Sequence, residues 1–374
     1  MRLREITEGK AKILIPDPVE FSREGKFDPA WSPVFYNPRM VFNRDVSVLA
    51  VSVISPSSVL DAMAATGIRG IRFVLEGGVN GEVIFNDKNP VAIELISKNI
   101  ELNRITNYKI MRADANSIMH QLKVDYTDLD PFGSPAPFLF AALSSLRRKG
   151  VLGVTATDLS ALEGKSITAC NRKYGASGKR LNYSKEAGLR VLLAKIAREA
   201  AVQEKGILPL ISFYKDYYYR LFVKTVDGAK RADKALEEIG MLYECQNCGF
   251  SFMDKECQVK CPMCGGEVNA YGPAWIGKLN SIDFLNRMKE RLDKAPQINN
   301  PNSVKRLLDS LISENGMGPY YRIDVLASKL KVNMPPTHRL IDCLGDGTRT
   351  HFDERGIKTS KSFDQLIECM KNLA

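Results

Sequence analysis

From Val59 to Asp130 the chain repeats one phrase: a short apolar run that stops at an aspartate, followed by a stretch of helical spacing. VLDAMAATGIRGIRF reads as a strand ending at Asp61, a turn of small residues containing Gly67 and Gly70, and the start of a helix. GEVIFNDKNPVAIELISKNIELN reads as a strand ending near Asp87 and an amphipathic helix with Ile93, Ile96 and Ile100 on one face. KIMRADAN supplies a strand ending at Asp114, VDYTDLD one ending at Asp130, and VLGVTATD a further strand. ILPLISFYKD and YYYRLFVKT then read as an antiparallel hairpin that ends the sheet near Asp227. Strands alternating with helices predict an α/β fold built on a mostly parallel, doubly wound sheet. Such sheets bind ligands at the carboxyl ends of their strands, the edge where Asp61, Asp87, Asp114 and Asp130 all fall.

The first turn narrows the ligand. Asp61 to Gly67 carries small side chains without Gly-x-Gly-x-x-Gly, the pattern that seats a dinucleotide pyrophosphate, and without the Gly-Lys-Ser/Thr of a phosphate loop. S-adenosylmethionine has no phosphate, and acids at successive strand ends suit it. Asp87 would take the ribose hydroxyls, Asp114 the adenine amine, and Asp61 would lie near the amino group. Each acid taken singly reads equally well as a cap on the helix that follows it.

The last strand runs into Asp130-Pro131-Phe132-Gly133. This tetrapeptide is either an ordinary turn or a base-handling pocket. In the second reading the Asp130 carboxylate and the Pro131 carbonyl accept hydrogen bonds from an exocyclic amine, and Phe132 stacks on the ring that carries it. The acids upstream favour the pocket.

Taken together, VFNRDVSV with Asn43, Arg44 and Asp45, DAMAATGIRGIR, FNDKNP, RADAN, DLDPFGSP and GTRTHFDERGIKT resemble the tRNA (guanine-26) N2-dimethyltransferase family, in its archaeal type. The resemblance runs from about residue 36 to residue 361. It implies a class I, Rossmann-like methyltransferase fold and transfer of methyl groups from S-adenosylmethionine to guanine N2 in tRNA. It further implies cofactor binding by Arg44, Arg69, Asp87, Asp114 and Ala115, to which the strand-end reading adds Asp61. Arg44 would grip the cofactor carboxylate, or else form a surface salt bridge. Asp130 and Phe132 carry over as catalytic positions, with Pro131 between them.

The charge balance fits a polyanionic partner: 53 Lys+Arg against 43 Asp+Glu give a net charge of +10. Between Gly164 and Arg198 lie nine Lys/Arg and one acid, Glu186. Lys165, Arg172, Lys173, Lys179 and Arg180 share this run with Tyr174 and Tyr183, so charge and stacking surface interleave as in RNA-contacting segments. A solvated basic face is the alternative.

Cys245-x-x-Cys248 and Cys261-x-x-Cys264 stand twelve residues apart, and each pair is followed by Gly. That is zinc-ribbon spacing. Four thiolates fill a tetrahedral site, which makes the zinc structural rather than catalytic. Cys257 offers an alternative ligand, and disulfide pairing is the competing use. The leading MRLREITEGK is charged and lacks the apolar core of a secretory signal. No run of eighteen apolar residues offers a membrane span. A reducing cytoplasm and no membrane are therefore expected; tRNA is the partner that the resemblance implies, and the oligomeric state stays open, a monomer being sufficient. Cys170, Cys343 and Cys369 have no ligand spacing and read as buried or inert thiols.

The expected organisation is a lead-in over residues 1–58, a methyltransferase domain over 59–228 and a C-terminal α+β tRNA-binding domain over 229–374. The last holds the zinc ribbon, about 243–267, and a winged-helix-like module, about 302–374. Trp275 reads as core or domain interface rather than a base-stacking residue. Past the PQINNPNS linker, VKRLLDSLISEN, RIDVLASKLK and PPTHRLIDCLG read as helices, GTRTHFDERGIKT as a hairpin, and a final helix follows. Arg339, Arg349, His351, Arg355 and Lys358 would then face tRNA phosphates. The rivals are methylation of another exocyclic amine in RNA or DNA, a non-catalytic zinc and winged-helix nucleic-acid binder, and a protein methyltransferase.

Overall fold

The chain opens with a hairpin, β1 (Leu3–Glu8) and β2 (Ala11–Pro16), turned at Gly9 with φ +58°. A long loop follows, carrying two single 3-10 turns, and then α1 (Val41–Ile54), which stops at Ser55 in the left-handed conformation. Sequence patterning does not announce α1. Ten of its fourteen residues are buried, so it has no polar stripe, and its valines read as strand. The computed structural model describes every residue except Pro296, so the first residue of the expected linker lies outside the described residues.

The repeating unit forms as expected. Strands β3 (Ser58–Asp61), β4 (Glu82–Asn86), β5 (Tyr108–Met111), β6 (Val124–Leu129) and β7 (Leu146–Ala156) are parallel. Their connecting helices are α2 (Ile68–Leu75), α3 (Pro90–Leu102), α4 (Ala115–Gln121) and α5 (Leu139–Ser144). Helices α6 (Leu159–Leu162) and α7 (Ile167–Tyr174), the dipeptide strand β8 (Ser177–Gly178) and α8 (Ser184–Ala201) precede the hairpin of β9 (Lys205–Lys215) and β10 (Tyr218–Asp227). The sheet order is β5-β4-β3-β6-β7-β10-β9, with β10 antiparallel to both neighbours. The chain leaves β3 toward β5 and returns to β6 on its other side. The crevice at this switch point is where such sheets hold ligands.

Helix α9 (Ala229–Leu236) lies against β9. Strands β11 (Ile239–Cys245), β12 (Ser251–Asp254) and β13 (Val268–Trp275) then form a second sheet, and β8 joins it beside β13. Gly178 sits at φ +125° there, and a Cβ at this position would meet the Ala270 carbonyl oxygen at 2.0 Å. Only glycine allows so close an approach. The basic segment is thereby stitched to the cysteine-bearing sheet.

Helices α10 (Ile282–Leu292) and α11 (Pro301–Ser313) return to pack on α1. Last come β14 (Tyr321–Arg322), α12 (Ile323–Leu330), α13 (Thr337–Leu344), β15 (Thr348–Arg349), β16 (Gly356–Lys358) and α14 (Phe363–Asn372). The three short strands pair in the order β14-β16-β15. Each face of the large sheet has its own core: α4, α5, α8 and β13 cover one, and α1, α2, α3, α10 and α11 the other. A separate core holds α12, α13 and α14 together around Leu326, Leu340 and Leu366.

One expectation is corrected and one holds. Cys343 and Cys369 are not separate thiols but a disulfide between α13 and α14; their separation of 26 residues gives no sequence cue to pairing. Trp275 is buried at 4% exposure with its indole N–H on the Lys278 carbonyl, as expected of a core residue. No helix among the described residues is long and apolar enough to cross a membrane.

Candidate active site

The carboxyl ends of β3, β4 and β5 are fixed to one another by Asn86. Its amide donates to the carbonyls of Ala62 (3.0 Å) and Ala113 (3.2 Å), and its oxygen accepts from Ala113 N–H. The loop after β3 is a tight backbone cradle, with Ala65 at φ +51° and Gly67 at φ +78°. Asp87 accepts from the amides of Ala65 and Asn89, both at 2.9 Å. Asp114 caps α4 through Oδ1, which accepts from Asn116 and Ser117, so its capping role is realised. Ala115 follows it, buried, at the first position of α4. Thr66 Oγ1 is buried in this cradle without a hydrogen-bond partner.

Asp61, 3% exposed, accepts from Gly70 N–H at 3.1 Å. Burial and the neighbouring Asp128 push its carboxyl up to about 7, against the pull of Arg69. Arg69 is the hub of the site. Its guanidinium contacts Asp130, reaches Asp128 at 3.2 Å, and donates to Asn43 Oδ1 and Ser47 Oγ at 3.0 Å each. Asp128 is fully buried. Burial raises its carboxyl, but Arg220 and Arg69 outweigh that and hold it below the usual range. Strand alternation puts Asp128 on the same side as Tyr126, whose hydroxyl it accepts. Asn86, Asp128 and Arg220 were missed from sequence; the only signal was a second acid two residues before Asp130.

Arg44 is not a surface residue. Its guanidinium forms a two-pronged pair with Glu8 of β1, both bonds 2.6 Å, and lies over the Tyr36 ring. Burial favours the protonated form of Glu8, but Arg44 and then Arg72 bring it down to about 2.

At the turn after β6, Pro131 is buried and Phe132 is 70% exposed. The Phe35 ring meets Phe132 edge-on at a centroid distance of 4.4 Å. Phe35 lies in the long N-terminal loop, and no sequence pattern marks it. Gly133, at φ +78°, exchanges hydrogen bonds with Thr157 at the end of β7, both 2.9 Å. An acid, an exposed aromatic ring and a cationic hub thus meet at the crevice.

The basic residues divide. Arg172, Lys173, Lys179 and Arg180 are exposed, although Lys173 pairs with Asp158 and Arg180 with Glu163. Tyr174 and Tyr183 are not stacking surfaces: both are buried in the core. Arg349 and Arg355 are exposed, the latter beside Asp324. Lys358 and His351, expected to face phosphates, do not. Lys358 is 2% exposed and ion-paired with Glu186 of α8 at 2.9 Å, and the His351 ring is held against the buried Glu314. Each buried acid needed a cationic or donor partner, and these side chains turned inward to supply it.

The Sγ atoms of Cys245, Cys248, Cys261 and Cys264 all lie within 4.8 Å of one another. Cys257 stands outside the group and is exposed. Gly249 and Gly265, at φ +83° and +69°, let each knuckle close on itself, and the amides of Cys248 and Met263 point at sulfur at 3.4 Å.

Residues 9–371 match the family described as N2,N2-dimethylguanosine tRNA methyltransferase. The chain is 70% identical over 372 residues to the tRNA (guanine(26)-N(2))-dimethyltransferase of Metallosphaera sedula, covering 99% of this chain and 97% of that protein. It is 49% identical over 373 residues to the enzyme of the same name from Sulfurisphaera tokodaii, covering 99% and 100%. A solved structure described as Trm1 from Pyrococcus horikoshii in complex with S-adenosyl-L-methionine has a TM-score of 0.88 at 37% identity, covering 98% of this chain and 100% of that one.

Proposed function

Since the chain belongs to the N2,N2-dimethylguanosine tRNA methyltransferase family, we propose that it methylates the N2 amine of guanine 26 in tRNA, first to N2-methylguanosine and then to N2,N2-dimethylguanosine. The observation that carries this reading is the turn itself, where the Asp130 carboxylate and the exposed Phe132 ring stand together at the switch-point crevice.

S-adenosylmethionine, when bound, supplies an electrophilic methyl group on a sulfonium. The residues fit it: an orphaned Thr66 hydroxyl, a cradle of small residues and carboxylates at three strand ends suit a ligand with hydroxyls, an amine and a positive charge. Asp61, Asp87, Asp114 and Ala115 are the proposed holders, with Arg69 behind them. Arg44 offers a cation to a carboxylate, a role that Glu8 fills here.

Guanine N2 is a weak nucleophile because its lone pair is delocalised into the ring. Arg69 takes Oδ2 of Asp130, which aims the other oxygen at an incoming amine. Asp130 and the Pro131 carbonyl accept the two N–H bonds, localising the lone pair and stabilising positive charge as it develops on nitrogen. Phe132, with Phe35 at its edge, holds the flipped base in line. As the N–C bond forms the amine loses a proton, which Asp130 takes directly or through water. The second round starts from an amine with one N–H, and the pocket must then accommodate the first methyl.

We assign the remaining parts on the same footing. Residues 1–58 form the lead-in, 59–228 the methyltransferase domain and 229–374 the tRNA-binding domain. The four cysteines suit a structural zinc, whose thiolate edges span less than 4 Å in a tetrahedral site; the 3.5 Å separation of Cys245 and Cys264 and the 3.7 Å of Cys248 and Cys261 agree. The helices and three-stranded sheet after residue 302 make a winged-helix-like unit. Arg172, Lys173, Lys179, Arg180, Arg349 and Arg355 contact tRNA phosphates.

The test is reaction with S-adenosylmethionine and an unmodified tRNA transcript, beside the same transcript with adenine at position 26, followed by mass analysis of nucleosides. N2-methylated guanosines in the first reaction alone are expected. Their absence from both, with cofactor bound, overturns the substrate assignment.

A further inference from the structure

The turn that carries Asp130 and Phe132 lies outside the strand ladder, leaves Phe132 exposed and contains a left-handed glycine, so its position depends on anchors. Arg69 holds its first residue and Thr157 its fourth. The third anchor is Tyr174, the last residue of the basic helix α7.

Tyr174 is fully buried, and its hydroxyl lies 2.7 Å from both Ser134 Oγ and Asp158 Oδ1. A carboxylate only accepts, so the single tyrosine proton goes to Asp158, and Ser134 must donate to Tyr174. Burial first, then the charge of Asp158, push the phenol far above its usual range, which keeps it a donor. Ser134 Oγ itself accepts from Ala136 N–H at 3.4 Å. A directed chain therefore runs from the backbone of the turn through Ser134 and Tyr174 to Asp158. Lys173, 40% exposed, closes it at 3.1 Å from the other Asp158 oxygen. Hydrogen bonds in such a chain polarise and strengthen one another. Tyr174 has little freedom of its own, because its carbonyl is held by Arg198 of α8.

We propose that Tyr174 is a positioning residue for methyl transfer: through Ser134 it sets the Asp130–Ser134 turn and ties it to helix α7. The inference rests on the base-pocket reading of that turn. Tyr174 touches neither base nor cofactor, so its loss displaces the acceptors without removing any of them. Lys173 stands on the same chain but faces outward, where its charge serves RNA docking.

Tyr174→Phe, Ser134→Ala and the double variant are to be compared with the parent in single-turnover methylation of the tRNA transcript at saturating S-adenosylmethionine. Dissociation constants for tRNA and cofactor and the thermal midpoint are read alongside. Each single variant is expected to lose about 10- to 100-fold in rate, as small misplacements of reacting groups do, with both dissociation constants unchanged. The double variant is expected to be no slower than the slower single, because both remove one link. Parent-like rates, multiplying losses in the double variant, or losses mirrored in tRNA affinity would overturn the proposal. If Tyr174→Phe does not fold, Ser134→Ala decides by the same criteria. A parent that makes no N2-methylguanosine overturns the functional reading as well, whereas an active parent with unaffected variants overturns this inference alone.

Discussion

Replacing Asp61 by Asn should stabilise the cofactor-free protein at alkaline pH while impairing cofactor binding. Asp61 is buried beside Asp128 and Asp130, and its carboxyl rises from the ordinary 3.8 to about 7. A folded value above the unfolded one means that the native state holds the extra proton. The stabilisation is complete below about pH 4 and is lost as pH rises to about 7. With about 1.4 kcal/mol for each tenfold change in proton affinity, the full loss approaches about 4 kcal/mol. Asn keeps an oxygen for Gly70 N–H but buries an amide, which costs about 1–3 kcal/mol where it finds no partner. A net gain of about 2 kcal/mol at pH 8 remains, and none at pH 4.5. Guanidinium unfolding of parent and variant at both pH values, with m-values checked, measures this difference; titrations common to both proteins cancel. With S-adenosylmethionine the order should reverse, because the amino group proposed to lie beside Asp61 would restore a use for the charge, and the ligand-induced rise in unfolding midpoint should shrink in the variant. An equal stability difference at pH 4.5 and 8 would show that this carboxyl does not titrate there, and the argument from burial would fall.

Asp130→Ala should abolish methylation while cofactor affinity, measured by calorimetry, stays near that of the parent; equal loss of both would remove Asp130 from the acceptor role. Changing Lys173, Lys179 and Arg180 together to Ala should weaken tRNA binding and reduce the salt slope by up to about three contacts, read from affinity against log salt. Lys358→Met should leave tRNA affinity unchanged but destabilise the fold by about 3–5 kcal/mol, because Glu186 loses one of its two buried cations; denaturant unfolding reads this directly. Chelation of metal, or Cys261→Ser, should release about one zinc per chain in a colorimetric assay and loosen the sheet of β11, β12 and β13 in hydrogen exchange. Methylation of a free guanosine substrate should then be less affected than that of tRNA.

The sheet was legible because each parallel strand announces itself twice, as an apolar run and as an acid at its end. The same rule explains what was missed. Helix α1 is buried nearly all round, so it lacks the polar stripe by which a helix is read. Asp128 lies within a strand rather than at its end, and its meaning depends on Arg220 from β10, 92 residues away. The basic run after Gly164 was read by composition, which cannot separate Tyr174, buried and wired to Ser134, from Lys173 beside it on the surface. For the same reason Lys358 counted as one more surface cation. Only the buried Glu186 reveals its use.

The misread cations have a consequence for specificity. Lys358 and Arg190 meet Glu186 at the junction between α8 and the C-terminal module, and Tyr320 N–H reaches the same carboxylate at 3.3 Å. On the other face, Asn299 donates to Asp45 of α1 at 3.0 Å, joining the return of the chain to the buried network of Arg72, Glu8 and Glu76. Breaking the first contact would leave Glu186 short of one of its two buried cations, so the module bearing the exposed Arg349 and Arg355 is anchored to α8 rather than tethered by a loose linker. A tRNA gripped by phosphate contacts gives up no sequence information, but a fixed offset between grip and turn selects a base by its distance along the fold. On the proposed phosphate contacts of Arg349 and Arg355, position 26 would be measured rather than read. Loosening the junction without touching a base contact, as Lys358→Met does, should spread methylation to neighbouring guanines before it abolishes activity, and mapping modified positions in the product tRNA would show whether it does.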